Sequence, residues 1–129
     1  MALQTGRATF GRELRLLTPA QYRRVFQNAR RSSDRYFTVL ILGNDQSRAR
    51  LGMAIAKKVL KRAVDRNRIK RVVRESFRLR QDDLAGLDLV VMCGRGVSQA
   101  DGRQLRDSLE RHWTRATQDD RLQGAGIEK

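Results

Sequence analysis

The stretch Lys57-Lys58-Val59-Leu60-Lys61-Arg62-Ala63-Val64-Asp65-Arg66-Asn67-Arg68-Ile69-Lys70-Arg71-Val72-Val73-Arg74 sets nine cations against one acid, Asp65. Charge of this density repels itself unless a polyanion lies across it, and nucleic acid is the partner it points to. Its periodicity separates it from a loose basic tail. On a helical wheel Ile69, Val72, Val73, Ser76 and Phe77 recur at i, i+3, i+4, i+7 and i+8, while Asn67, Arg68, Lys70, Arg71, Arg74 and Arg78 cover the opposite arc. A helix from about Val64 to Leu79 can therefore dock on a core and still present its cations. Arg66 falls between the two faces, turned towards whatever the helix packs on. A merely solvated helix face interleaves acids with bases at i,i+4, and this one has almost no acids to do so.

Working outward, Thr18-Pro19-Ala20-Gln21 combines a capping residue, a proline at the first helical position and a glutamine three residues after the cap. A helix starts there and ends near Arg30, with Tyr22, Val25, Phe26 and Ala29 on one stripe. The aromatic and β-branched run Tyr36 to Leu42 predicts a strand, and Gly43-Asn44-Asp45-Gln46-Ser47 a turn. Arg50 to Ala56 follows as a second strand, antiparallel to the first by its short connection. Beyond the basic helix, Leu87 to Met92 predicts a third strand, and about Asp101 to Ala116 a last helix with Leu105, Leu109, His112, Trp113 and Ala116 on one face. The order α-β-β-α-β-α defines an α+β fold, a mixed sheet with helices packed on it. Residues 18–117 form the expected single domain, flanked by a mobile basic tail over 1–17 and a mobile tail over 118–129.

At 129 residues the chain suits one compact domain, and a net charge of +14 with pI near 11.5 favours phosphate-rich partners. The longest apolar runs, Val39 to Leu42 and Leu89 to Cys93, are strand-sized, so no membrane span is expected. Met1 to Gly11 lacks the apolar core of a signal peptide, which leads to the expectation of a cytoplasmic protein. The lone Cys93 reads as a small buried hydrophobe, and His112, on an apolar stripe, as a structural residue. One cysteine and one histidine cannot build a structural zinc site. Asp82-Asp83 and Asp119-Asp120 read as a helix end and a tail, and Gly94-Arg95-Gly96 is too short for a phosphate cradle. The expectation is a protein with no catalytic residue and no metal of its own.

Ala56-Lys57-Lys58, then Ala63-Val64-Asp65-Arg66-Asn67-Arg68-Ile69-Lys70-Arg71 and Arg74-Glu75-Ser76-Phe77, closely resembles the signature of the bacterial ribonuclease P protein subunit. Tyr22-x-x-Val25-Phe26, Tyr36-Phe37, and Leu51-Gly52 ahead of the lysines resemble that family too, so the likeness spans roughly Leu16 to Trp113. The resemblance implies a sandwich of the ribosomal protein S5 domain 2-like type with a left-handed β-α-β crossover, where general topology rules favour a right-handed one. It implies a subunit that assists a catalytic RNA in removing the 5′ leader of precursor tRNA. That RNA holds the Mg²⁺ ions, and the protein holds no cofactor. Arg66, Arg68, Lys70, Arg71 and Arg74 match the motif that contacts the RNA subunit. The leader-binding cleft maps onto Tyr22, Phe26, Phe37, Thr38, Leu40, Lys57 and Arg66, with Leu40 standing where some relatives carry an aromatic. A single strand is best held by aromatic faces and backbone-tracking cations, and Tyr22 and Phe26 lie one helical turn apart. Arg7, Arg12 and Arg15 in the tail add diffuse phosphate contacts. The implied partners are the RNA subunit and precursor tRNA, with no membrane and no protein partner evident.

Three other readings stay open on the sequence. A ribosomal or other module for folded RNA has the same basic helix but little use for the Tyr22/Phe26 pair. A DNA-binding protein fits the charge, although no dimerisation segment is evident. A nuclease acting alone needs clustered carboxylates that the motifs do not supply.

Overall fold

A computed structural model describes residues 18–122, with side chains as far as Gln118. The expected N-terminal tail and its Arg7, Arg12 and Arg15 lie outside the described residues, as do residues 123–129. The elements in chain order are α1 (Pro19–Asn28), β1 (Arg30–Ser33), β2 (Phe37–Gly43), β3 (Arg50–Ala54), α2 (Ala63–Arg80), β4 (Leu87–Cys93), a 3-10 turn (Arg95–Gln99) and α3 (Gly102–Leu122). Helix α1 starts on the expected capping box: Thr18 Oγ1 accepts from Gln21 N at 3.1 Å, and Gln21 Oε1 accepts from Thr18 N at 3.0 Å. Asp101 and Gln104 make the same reciprocal pair at the start of α3. That helix continues to Leu122, past the expected end at Ala116 and into the segment read as a tail.

The four strands lie in the order β1-β2-β4-β3. Strands β2 and β3 run in opposite directions, as their short connection predicts. They do not pair, because β4 inserts between them, antiparallel to β2 (Val39↔Val91) and parallel to β3 (Leu51↔Leu89). Helix α2 therefore connects two neighbouring parallel strands. Strand β4 is buried at every residue from Leu87 to Val91, all apolar but Asp88, so it needs cover on both faces and a strand on either edge.

Strand β1 is absent from the sequence expectation, since Arg30-Arg31-Ser32-Ser33 has no apolar residue. What makes it a strand is tertiary. Ser32 is buried against α3, with its Oγ 2.7 Å from His112 Nδ1 and 2.7 Å from an Arg115 guanidinium nitrogen that donates to it. Nε2 of His112 faces Asp34 Oδ2 at 3.3 Å, which favours the tautomer protonated there, so Nδ1 accepts from the Ser32 hydroxyl. Burial pushes the His112 pKa down against the pull of Asp34. The structural role expected for His112 is to tie α3 to the edge of the sheet.

The sheet divides two cores. On one face Phe37, Val39, Ile41, Leu89 and Val91 pack under Ile69, Val73 and Phe77 of α2 and Leu105, Leu109 and Trp113 of α3. Trp113 meets Phe77 edge to face, with centroids 6.2 Å apart, and its indole N–H donates to Ser76 Oγ at 2.8 Å. That bond accounts for a serine on the apolar arc of α2. On the other face a smaller core forms where Val25 of α1 sits on Leu40 and Val90.

Asp34 closes the β1–β2 turn. Oδ1 accepts from the N–H groups of Tyr36 and Phe37, and Oδ2 accepts from the Ser108 hydroxyl at 2.6 Å. Burial opposes its ionisation, yet these hydrogen bonds and the nearby His112 hold the carboxyl at about 2, below its ordinary 3.8. The folded form thus binds fewer protons than the unfolded chain, so the stabilisation is present above pH ~4 and is lost as pH falls towards 2. Asp34→Asn is expected to lower the melting temperature at pH 6 and to flatten its fall between pH 4 and 2, read by thermal unfolding across that range.

Candidate nucleic-acid interface

Two surfaces carry the residues that the sequence singles out. The first is the outer arc of α2. Arg68, Arg71 and Arg78 are exposed and Lys70 and Arg74 half-buried, while Ile69, Val73 and Phe77 anchor the inner face, as the periodicity requires. Among the described residues Arg66, Arg68, Lys70, Arg71, Arg74 and Arg78 enter no ion pair, and the acids of the helix ends are taken by Arg62 (Asp65) and Arg80 (Asp83 and Glu110). Their field is therefore available to a ligand. Arg66 turns inward, as its place on the wheel predicts. One of its terminal nitrogens donates to Leu60 O and Lys61 O at 2.8 Å each, which fixes the loop between β3 and α2. Lys57 and Lys58 are exposed on that loop, where Ala56 O accepts from Val59 N and Leu60 N.

The second surface lies beside α1 on the opposite sheet face. Strand alternation puts Ser33, Thr38, Met92 and Ala54 in one row, from the registers Ser33↔Thr38, Thr38↔Met92 and Ala54↔Met92. The Ser33 and Thr38 hydroxyls are 3.0 Å apart, and Met92 and Ala54 pack against the α1 core with Tyr22. Tyr22 and Phe26, one turn apart on the helix above this sheet face, have unequal roles. The Tyr22 ring lies against Gly52, and its hydroxyl accepts from Met53 N at 3.3 Å, so it anchors α1. Phe26 is 49% exposed, an open aromatic face.

Two of the expected cleft residues are placed differently. Phe37 is fully buried in the larger core, on the sheet face turned away from α1, and it does not line the cleft. The reason is parity: Phe37 and Leu40 are three residues apart on a strand and so point to opposite faces. Leu40 is on the α1 face but only 4% exposed beneath Val25, so it backs the cleft from below. Ser33 and Met92 share the row with Thr38 but escape sequence reading, since β1 has no strand pattern and the β2–β4 register is non-local.

No group of three His, Cys, Asp or Glu able to hold a metal occurs among the described residues. Burial pushes the Cys93 thiol up to about 12, far from a nucleophile at neutral pH. No described helix is long and apolar enough to cross a membrane. A basic helix with only Asp65 and Glu75 against its cations on one side of a mixed sheet, and an exposed aromatic with a row of hydroxyls on the other, are the features of a nucleic-acid-binding α+β domain. Residues 10–117 match the Ribonuclease P family, and the chain belongs to the bacterial ribonuclease P proteins. It is 51% identical over 115 residues to the ribonuclease P protein component of Thioalkalivibrio sulfidiphilus, covering 89% of this chain and 93% of that protein. With the Cronobacter sakazakii component the identity is 49% over 106 residues, covering 82% and 89%. Among solved structures, the Staphylococcus aureus RNase P protein matches with a TM-score of 0.71 at 28% identity, over 76% of this chain and 90% of that one. The Thermotoga maritima RNase P protein matches with 0.70 at 28%, over 78% and 96%. The protein is thus a subunit of a ribonuclease that processes tRNA, acting in maturation of the tRNA 5′ end.

Gly52 is where this groove depends most sharply on a single residue. A Cβ there meets Tyr22 Cε1 at 2.7 Å and Cζ and Oη at 2.8 Å, so the ring must lift. Gly52→Ala is expected to cost about 1–3 kcal/mol of stability in urea unfolding, with part of the loss recovered when Tyr22→Ala is added.

Proposed function

We propose that the protein binds the catalytic RNA of ribonuclease P through Arg66, Arg68, Lys70, Arg71 and Arg74, and holds the 5′ leader of precursor tRNA in the groove beside α1. In this reading Phe26 stacks a leader base, Tyr22 supports it, and Thr38 with Ser33 offers hydroxyl partners. Lys57 and Arg66, at the loop between β3 and α2, carry the backbone charge. The observation that carries the reading is the half-open ring of Phe26, on a helix whose neighbouring Val25 is fully buried. An aromatic exposed beside a hydroxyl row suits a single strand better than folded RNA or duplex DNA.

The hydrolysis itself is assigned to the RNA and the Mg²⁺ ions it holds, with the protein supplying position and counter-charge. The same reading places the fold with the ribosomal protein S5 domain 2-like sandwiches, makes the β3-α2-β4 crossover left-handed, and puts the protein in the cytoplasm with its RNA partners.

Protein freed of RNA is expected to leave precursor tRNA uncut, and addition of the RNA subunit at low Mg²⁺ to give cleavage at the 5′ end. Specific cleavage by the RNA-free protein would overturn the division of labour. Phe26→Ala is expected to weaken binding of precursor tRNA by about 1–3 kcal/mol, with mature tRNA and the RNA subunit bound as before. A large drop in melting temperature, or equal losses for both tRNAs, would assign Phe26 to packing instead.

A further inference from the structure

Helix α1 is short, and Val25 is its only fully buried residue. With Tyr22 seated against Gly52 on the Phe26 side of that valine, the opposite flank of the helix depends on Arg24 to fix its roll. At about 100° per residue, Arg24 and Phe26 stand on opposite flanks of Val25, so any roll that lifts one lowers the other. Arg24 is tied down: one terminal nitrogen donates to Gly43 O at 3.3 Å and the other lies 3.8 Å from Asp88 Oδ2. Asp88, 1% exposed, cannot turn away. Its Oδ1 accepts from Arg50 Nε at 2.8 Å and Asn44 Nδ2 at 2.9 Å, and its Oδ2 from Arg50 Nη2 at 2.8 Å.

We propose that Arg24 is a positioning residue for leader recognition: clamped to Gly43 and the oriented carboxylate of Asp88, it sets the roll of α1 and thereby the angle at which Phe26 meets a leader base. This rests on the leader reading above. A roll of about 10° carries a ring some 5–6 Å from the helix axis through about 1 Å, enough to spoil a stacking geometry. The Arg24 side chain is 48% exposed, so its ion pair adds little to overall stability, and its removal leaves the fold standing.

The experiment is a double-mutant cycle of Arg24→Gln and Phe26→Ala, with Arg24→Lys alongside, reading affinity for precursor and mature tRNA at several salt concentrations and thermal unfolding of each variant. Arg24→Gln is expected to weaken precursor binding by about three- to tenfold, a part of the ~5- to 150-fold that one stacked base is worth. That loss should vanish in the Phe26→Ala background, leave mature tRNA unaffected and keep the salt dependence. Arg24→Lys should not rescue, because a single ammonium cannot hold both Gly43 and Asp88. An undiminished loss in the Phe26→Ala background, rescue by lysine, or a shallower salt slope would make Arg24 a direct phosphate contact and overturn the proposal. An unchanged precursor affinity for Arg24→Gln would overturn it as well. Phe26→Ala without effect on precursor binding would instead bring down the leader reading, and this proposal with it.

Discussion

Burial of β4 on both faces is the constraint from which the rest of the architecture follows. With five consecutive residues shielded from water, the strand requires a hydrogen-bonded neighbour on each edge and an apolar layer above and below. Strands β2 and β3 fill the edges, α2 and α3 cover Leu89 and Val91, and α1 covers Val90. Since alternation sends neighbouring residues to opposite faces, the two coverings are independent surfaces. That independence lets one protein carry a basic helix on one side and an exposed aromatic on the other.

The covering layers differ in the strength of their attachment. Helices α2 and α3 are joined by a buried tryptophan, an aromatic edge-to-face contact and an indole hydrogen bond. Helix α1 has one buried valine, one tyrosine lying on a glycine and one arginine reaching a carboxylate. The firmly held layer carries the basic arc of α2, and the lightly held one carries the exposed ring of Phe26.

Much of this was legible in the chain. Capping residues placed the start of α1, and the spacing of Ile69, Val73 and Phe77 gave both the extent of α2 and the side its cations take. Those are local signals, carried within one helix. Strand β1 was illegible because Arg30-Arg31-Ser32-Ser33 becomes a strand only when Ser32 meets His112, 80 residues away. The insertion of β4 between β2 and β3 was hidden for the same reason, since the connection fixes direction but not partner. Phe37 is a different case. The alternation that separates it from Leu40 was present in the sequence, and the cleft assignment carried over by resemblance overrode it.

The sheet has two free margins, and each is closed in its own way. Strand β1 is only four residues long and begins with two arginines, so a strand from another molecule finds a short, charged template. On β3 the N–H of Met53 is taken by the Tyr22 hydroxyl. The tyrosine that seats α1 therefore also blocks a point of strand addition. The chain is in this way guarded against cross-β aggregation by its margins, as well as by the mutual repulsion of a net charge of +14.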